Sequence, residues 1–263
     1  MAIETNSLLL VCIVGISVGV GVSLLGTFII LRRMALVGDA LSHVALPGIA
    51  LAVVLDVNPF IGASLFLLLA VIAITLLERN SVLPIDALVG VFFTAALGIG
   101  ALISPTSESL LEALFGDISN LRMIDAQIAI VVAVFVVITT VVLFRDFAML
   151  TLSRELAHSE GVAVERTEFI FLLLLAIIIA VGIRIIGTLL IGALVIIPAS
   201  VAKNISNSLR GMAIVSVVVG IATVVLGSVI AVSFNMVPGP VITVIAATFF
   251  VLSLILRKFQ RDG

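Results

Sequence analysis

Apolar runs of about bilayer length follow one another along almost the whole chain, and little separates them. A spanning helix needs about 20 predominantly apolar residues. Runs of this kind lie near 8–31, 40–55, 59–77, 85–103, 126–144, 169–183, 186–202, 212–233 and 239–256. Hydrophobic residues make up 63% of the chain and charged residues 11%, where soluble domains sit near about 45–50% and about 25%. Lipid offers the backbone no hydrogen-bond partner, so such runs must satisfy their own polar groups as helices. The chain therefore reads as an all-α polytopic membrane protein. It is a single transmembrane domain over 1–263, surrounded by membrane lipid, with no room for a separate catalytic domain.

The run from 169 to 202 is interrupted by Arg184 and Gly187, so it is either two spans or one span and a re-entrant piece. The expected count is eight or nine. Lys and Arg concentrate on the cytoplasmic side of a membrane protein. With nine spans, Arg32, Arg33, Arg79, Arg145, Arg154, Arg166, Lys203, Arg210, Arg257, Lys258 and Arg261 fall on one side, and only Arg122 and Arg184 on the other. That split puts the N-terminus outside and the C-terminus in the cytoplasm. MAIETNS carries no basic residue ahead of the first run, so it reads as the entry to a spanning helix and not as a cleaved signal. Net charge is near zero, which leaves no footprint for nucleic acid. Cys12 is the single cysteine, so no disulfide can form within the chain. Trp and Tyr are absent, and Phe, lacking a polar tip, fills only part of the usual interfacial belt.

Residues 32–51, RRMALVGDALSHVALPGIAL, carry the chemistry. Asp39 and His43 stand four residues apart and so share a helix face. An ionisable pair inside a membrane segment points to function by default, and a carboxylate with an imidazole is a plausible ligand pair for a divalent metal ion. Taken singly, Asp39 also reads as a helix cap and His43 as a carbonyl partner on a neighbouring helix. Ser42 and Pro47 lie beside them. Pro47-Gly48 is expected to interrupt the second span and Pro198 the run IGALVIIPAS, in the manner of discontinuous helices along a substrate pathway. An ordinary proline kink is the plainer reading of any one proline, but Pro47 falls on the same face as Asp39 and His43, one further turn along. Asp86, at the start of SVLPIDALVG, reads first as a cap and second as a pathway residue. Gly15, Gly19 and Ser23 recur every four residues, as do Ser17 and Gly21. Such seams let helices approach closely, within the chain or across a dimer.

Two connections are long. The outer one, about 104–125, contains ESLLEALFGDI, an amphipathic pattern with an acidic rim of Glu108, Glu112, Asp117 and Asp125. The inner one, about 146–168, contains LSRELAHSEGVAVER. Ser153 can cap a short helix from Arg154, Leu156 and Ala157 give it an apolar face, and Gly161 can end it. It suits docking to another protein as well as it suits a solvated connector. His158 reads as a surface residue. One subunit offers two good ligands where zinc takes about four. A two-fold homodimer would bring two such pairs to one axis.

No GxxxxGK followed by Ser or Thr occurs, so ATP is not bound through a P-loop, and no HExxH supports an intramembrane zinc protease. The sequence thus argues for a transporter and not an enzyme, although a stand-alone metal channel or carrier fits these residues as well.

MALVGDALSHVALPGIALA closely resembles the signature of the ABC-3 family of metal-ion permeases, the membrane subunits of bacterial zinc, manganese and iron(II) importers. PIDALVGVFFTAALGIG resembles the family's Asp-initiated fourth span, LLEALFGDI its outer segment, LSRELAHSEGV its cytoplasmic coupling helix and GTLLIGALVIIPASVAK its proline-broken run. His158 stands where a small or apolar residue is more usual. The resemblance implies a type II ABC importer fold, like that of vitamin B12 permeases but with fewer spans. It implies a permease homodimer, a separate ABC ATPase subunit, and an extracytoplasmic metal-binding protein. No cofactor is held permanently; the divalent metal is cargo. The setting is the bacterial cell membrane, the inner one in a Gram-negative cell. Metal-pathway roles carry over to Asp39 and His43. The coupling surface carries over to Ser153, Arg154, Glu155, Leu156, Ala157, His158 and Gly161. LFGD and MVPGP look like the Gram-negative zinc branch, which puts zinc first, with manganese or iron(II) as alternatives.

Overall fold

The computed structural model describes residues 5–83, 85–103, 123–234 and 236–262. Every regular element among them is helical: α1 (Thr5–Leu31), α2 (Ala35–Val44), α3 (Leu46–Val54), α4 (Pro59–Asn80), α5 (Ile85–Ile103), α6 (Met123–Val142), α7 (Phe144–Leu152), α8 (Arg154–Ser159), α9 (Val164–Ile205), α10 (Leu209–Ser233) and α11 (Pro238–Asp262). The nine expected runs map in order onto α1, α2–α3, α4, α5, α6, the two parts of α9, α10 and α11. Seven of these are long and apolar enough to cross a membrane. An eighth is reached by counting the pair α6–α7, bent by 61° at Leu143. The second part of α9, Leu190–Ile205, is apolar but shorter than a full span. The outer connection of 104–122, with Glu108, Glu112 and Asp117, lies outside the described residues.

The helix ends follow local chemistry. α1 stops because Arg33 takes a left-handed conformation (φ 59°). Met34 N–H then donates to Ile29 O at 2.9 Å and Arg33 N–H to Ile30 O at 3.4 Å, the two bonds of a Schellman ending. Asp56 (φ 54°) ends α3 in the same way, with Val57 N–H donating to Ala52 O at 2.8 Å. Asn58 accepts from Phe60 N–H and Pro59 opens α4.

α9 contains 42 residues. A straight helix of that length would run about 63 Å, twice the roughly 30 Å hydrocarbon core. Gly187 divides it with φ 80° and ψ 163°, a backbone conformation essentially reserved to glycine. The break expected at Pro198 is absent. The helix continues through buried Pro198 to Ile205: proline's fixed φ is compatible with a helix, and the surrounding packing outweighs the lost hydrogen bond to the Leu194 carbonyl and the crowding of the ring against it.

α1, α2–α3 and the first part of α9 are mostly buried, while α4, α5, α10 and α11 leave most of their surface open. Apolar side chains on those open faces, such as Leu65, Leu69, Val91 and Val251, suit contact with lipid. The small-residue seam of α1 serves packing within the chain: Gly15 and Gly19 face Val224 of α10, and Gly21 faces Ile178 of α9. Ser216 donates to Ser23 O at 2.7 Å across the same interface. α3 and α4 cross backbone to backbone, since a β-carbon on Gly48 would overlap the Gly62 carbonyl, and one on Gly62 the Gly48 carbonyl. Phe28, Phe144, Phe147 and Phe171 stack edge-to-face at 5.3–5.5 Å and fasten α7 between α1 and α9.

Candidate metal pathway and coupling segment

α2 begins at Ala35, five residues before the expected start of the span, so Asp39 is inside the helix and caps nothing. Asp39 and His43 do share a face: His43 Nε2 stands 3.9 Å from Asp39 Oδ1. That separation is too long for a hydrogen bond. It is within what two ligands, each about 2.0–2.2 Å from a shared ion, can bridge. The Asp39 side chain is 43% exposed and that of His43 13%, so the carboxylate faces open space and the imidazole is tucked behind it. The His43 ring packs edge-on against Phe93 of α5 at 5.4 Å, and its Nδ1 is buried without a partner. Ser42 is fully buried, and its hydroxyl donates to Asp39 O at 2.6 Å, which commits its proton to the backbone.

The interruption credited to Pro47 falls at Ala45, between α2 and α3. Proline has no N–H for the carbonyl four residues back. That carbonyl is His43 O, which accepts from Ala45 N–H instead. The second part of α9 forms one wall of the site. Gly192 lies against Asp39, and Gly38 lies against Val195. Asp86 is in the first turn of α5, and its Oδ1 is buried with no hydrogen-bond partner, so it makes no cap in this arrangement. Among the described residues, no three His, Cys, Asp or Glu side chains come together as a metal cluster. Asp39 and His43 stand as a two-donor site.

The inner connection is folded: the short helix expected from Arg154 is present, and a second helix ahead of it was not foreseen. α7 leaves α6 at the 61° bend, followed by α8. Ser153 caps α8 by accepting from Leu156 N–H at 3.1 Å, and its hydroxyl donates to Glu155 at 3.1 Å. Gly161 ends it at φ 81°, with Val162 N–H donating to Ala157 O at 2.9 Å. Leu156 projects outward at 43% exposure, whereas Ala157 is fully buried against Leu150 and Val162 and presents no surface. His158 is exposed and, with Arg154 and Glu78, lines an open groove of about 1250 Å³ between α4, α8 and the start of α9.

Beneath α8 lies a charge cluster that the sequence reading missed. Glu168 of α9, 4% exposed, is ion-paired with both Arg154 and Arg32, and Arg154 also pairs with Glu78 at the end of α4. Arg154 Nε donates to Glu168 Oε1 at 3.1 Å. That hydrogen bond, more than any other influence, pushes the Arg154 guanidinium further up and keeps it charged. Arg32 also rests over the Phe171 ring at 5.7 Å.

A bundle of lipid-length helices with a broken helix and an ionisable pair defines a polytopic membrane permease. The chain belongs to the ABC 3 transport family, which it matches over residues 4–257. It is 36% identical over 254 residues to the manganese import system permease protein ScaB of Streptococcus parasanguinis, covering 95% of this chain and 91% of that protein. It is 33% identical over 239 residues to the high-affinity zinc uptake system membrane protein ZnuB of Haemophilus influenzae, covering 89% and 91%. The solved structure of PsaBC from Streptococcus pneumoniae in complex with Fab superposes with a TM-score of 0.83 at 34% identity, covering 95% of this chain and 91% of that one. Manganese and zinc relatives both stand near one third identity, so the comparisons do not favour the zinc expectation over manganese.

Proposed function

We propose that the chain is the permease subunit of an ATP-driven importer that carries a divalent first-row metal ion, manganese or zinc ahead of iron(II), into a bacterial cytoplasm. The observation that carries this reading is the Asp39–His43 pair: two donors 3.9 Å apart, with the carboxylate open, on a helix broken two residues later. Oxygen and imidazole donors serve manganese, zinc and iron(II) alike. Family membership and the manganese and zinc relatives support the same class of cargo.

Two donors are too few to hold such an ion firmly. A homodimer with the pairs facing one axis completes the set, and a site formed by assembly still lets the ion go, as a transport site must. ATP hydrolysis belongs to a separate subunit docked at α8, and an extracytoplasmic binding protein delivers the ion. The Lys and Arg distribution supports a cytoplasmic C-terminus and an outer N-terminus. The test is uptake of manganese, zinc and iron(II) into proteoliposomes holding the permease with its ATPase and binding protein. ATP-dependent uptake of one of these metals is the expected result. Uptake that persists without ATP would sink the primary-transport reading in favour of a channel or carrier.

A further inference from the structure

Glu168 is the one nearly buried carboxylate at the inner end of α9, and it is shared by two arginines from distant parts of the chain. Arg154 is the first residue of α8. Arg32 directly follows α1, three residues before α2 begins. One carboxylate therefore joins the cytoplasmic helix to the root of the helix that bears Asp39 and His43. Both arginines are restrained further, Arg154 by Glu78 and Arg32 by the Phe171 ring. Phe171 in turn stacks on Phe147, and Phe147 on Phe28. A buried ion pair is weak evidence for stability, because desolvation offsets the attraction. What it supplies here is geometry at Glu168, whose side chain is 5% exposed and has little water to turn to, while Arg32 is 12% and Arg154 55% exposed. The nearby Arg145–Glu160 pair is a contrast: at 3.3 Å, and 68% and 49% exposed, it can exchange either partner for water.

We infer that Glu168 is a positioning residue of the transport cycle, tying α8 through Arg154 to Arg32 so that a displacement of α8 by the ATPase reaches the helix carrying the metal ligands. This rests on the permease reading above. The linkage is serial: α8 to Arg154, Arg154 to Glu168, Glu168 to Arg32, Arg32 to α2. Cutting it at either arginine severs the same ion-pair route, so a second cut adds nothing to that loss.

The experiment uses the full complex in proteoliposomes and reads metal uptake and phosphate release together. Arg32→Gln, Arg154→Gln and the double variant are compared with wild type, with Glu160→Gln as the exposed-pair control. Each single variant is expected to lower uptake per ATP hydrolysed by about fivefold, and in Arg32→Gln, which lies outside the α8 docking surface, phosphate release stays within about twofold, in keeping with the size of coupling effects along contact networks. The double variant should match the singles, and Glu160→Gln should match wild type. If an arginine variant does not assemble, Glu168→Asp, which keeps the charge but is one methylene shorter, is read in its place with the same expectation. Uptake and hydrolysis falling in parallel, an unchanged ratio, or additive losses in the double variant each overturn the proposal. Absence of ATP-dependent uptake in the wild type refutes the permease reading itself, a different result from any of these.

Discussion

Gly192 lies so close to Asp39 that a β-carbon on it would overlap the carboxylate oxygen Oδ1. The second part of α9 thus sets where one of the two proposed metal donors can stand. Gly192→Ala should push the carboxylate aside. Misplacing a reacting group by about 1 Å can cost about 100-fold, so metal uptake should fall steeply, with the loss largely in apparent affinity. Measuring uptake against metal concentration checks this. The contrast is Gly38→Ala, whose new β-carbon would meet the Val195 side chain instead. Val195→Ala should relieve that variant and should do nothing for Gly192→Ala.

Asp39→Ala and His43→Ala should each reduce uptake by more than about tenfold, the order of effect expected when a ligating or ligand-orienting group is removed. Both variants should still assemble with the ATPase, since Asp39 is open and His43 packs chiefly on Phe93. Uptake and co-purification measured on the same preparations separate the two effects. Normal uptake in both variants would show the pair to be structural.

α8 should divide into two kinds of position. Leu156 is 43% exposed, so Leu156→Asp should abolish ATPase binding and leave the permease as stable as before. Ala157 is fully buried. Ala157→Asp would bury an unpaired charge, at a cost on the order of several kcal/mol, and should loosen α8 whether or not the ATPase is present. Thermal stability of the permease alone, beside a pull-down with the ATPase, distinguishes them.

Glycine variants should fall on opposite sides of zero. At Gly48 or Gly62 an added methyl meets a carbonyl of the facing helix, and the strain should cost about 1–3 kcal/mol or more. Gly90 and Gly98 have nothing within 4 Å of a built β-carbon. Alanine there should stabilise α5 by about 0.5–1 kcal/mol. Thermal or denaturant midpoints in one detergent would rank all four.

The parts of this structure that were legible in the sequence rest on local rules. The Asp39–His43 pairing follows from helical spacing, and the ends of α8 follow from a capping Ser153 and a left-handed Gly161. What escaped depends on residues far apart. Arg32 and Glu168 are 136 positions apart, and Arg154 and Glu78 are 76 apart, so no window along the chain hints at their meeting. α7 was hidden for a related reason. Nothing in VVLFRDF marks a turn, and the 61° bend at Leu143 is held by Phe144 and Phe147 against Phe28. The prolines misled in both directions. Pro198 is absorbed within a helix, and the break associated with Pro47 appears at Ala45, near the carbonyl that proline leaves without its donor.

The glycine crossing has a consequence for α2. With Gly48 against Gly62, α3 has no side chain between it and α4, and the two backbones are in direct contact. Below, α2 hangs from the left-handed Arg33; above, it meets α3 at Ala45. The ten residues of Ala35–Val44 therefore form a short arm between two backbone breaks, packed on α5 and α9, with Asp39 and His43 on it. Because Val37, Leu41 and Val44 of the same helix are buried, any turn of that arm must slide along α5 and α9, and it would carry both proposed donors together.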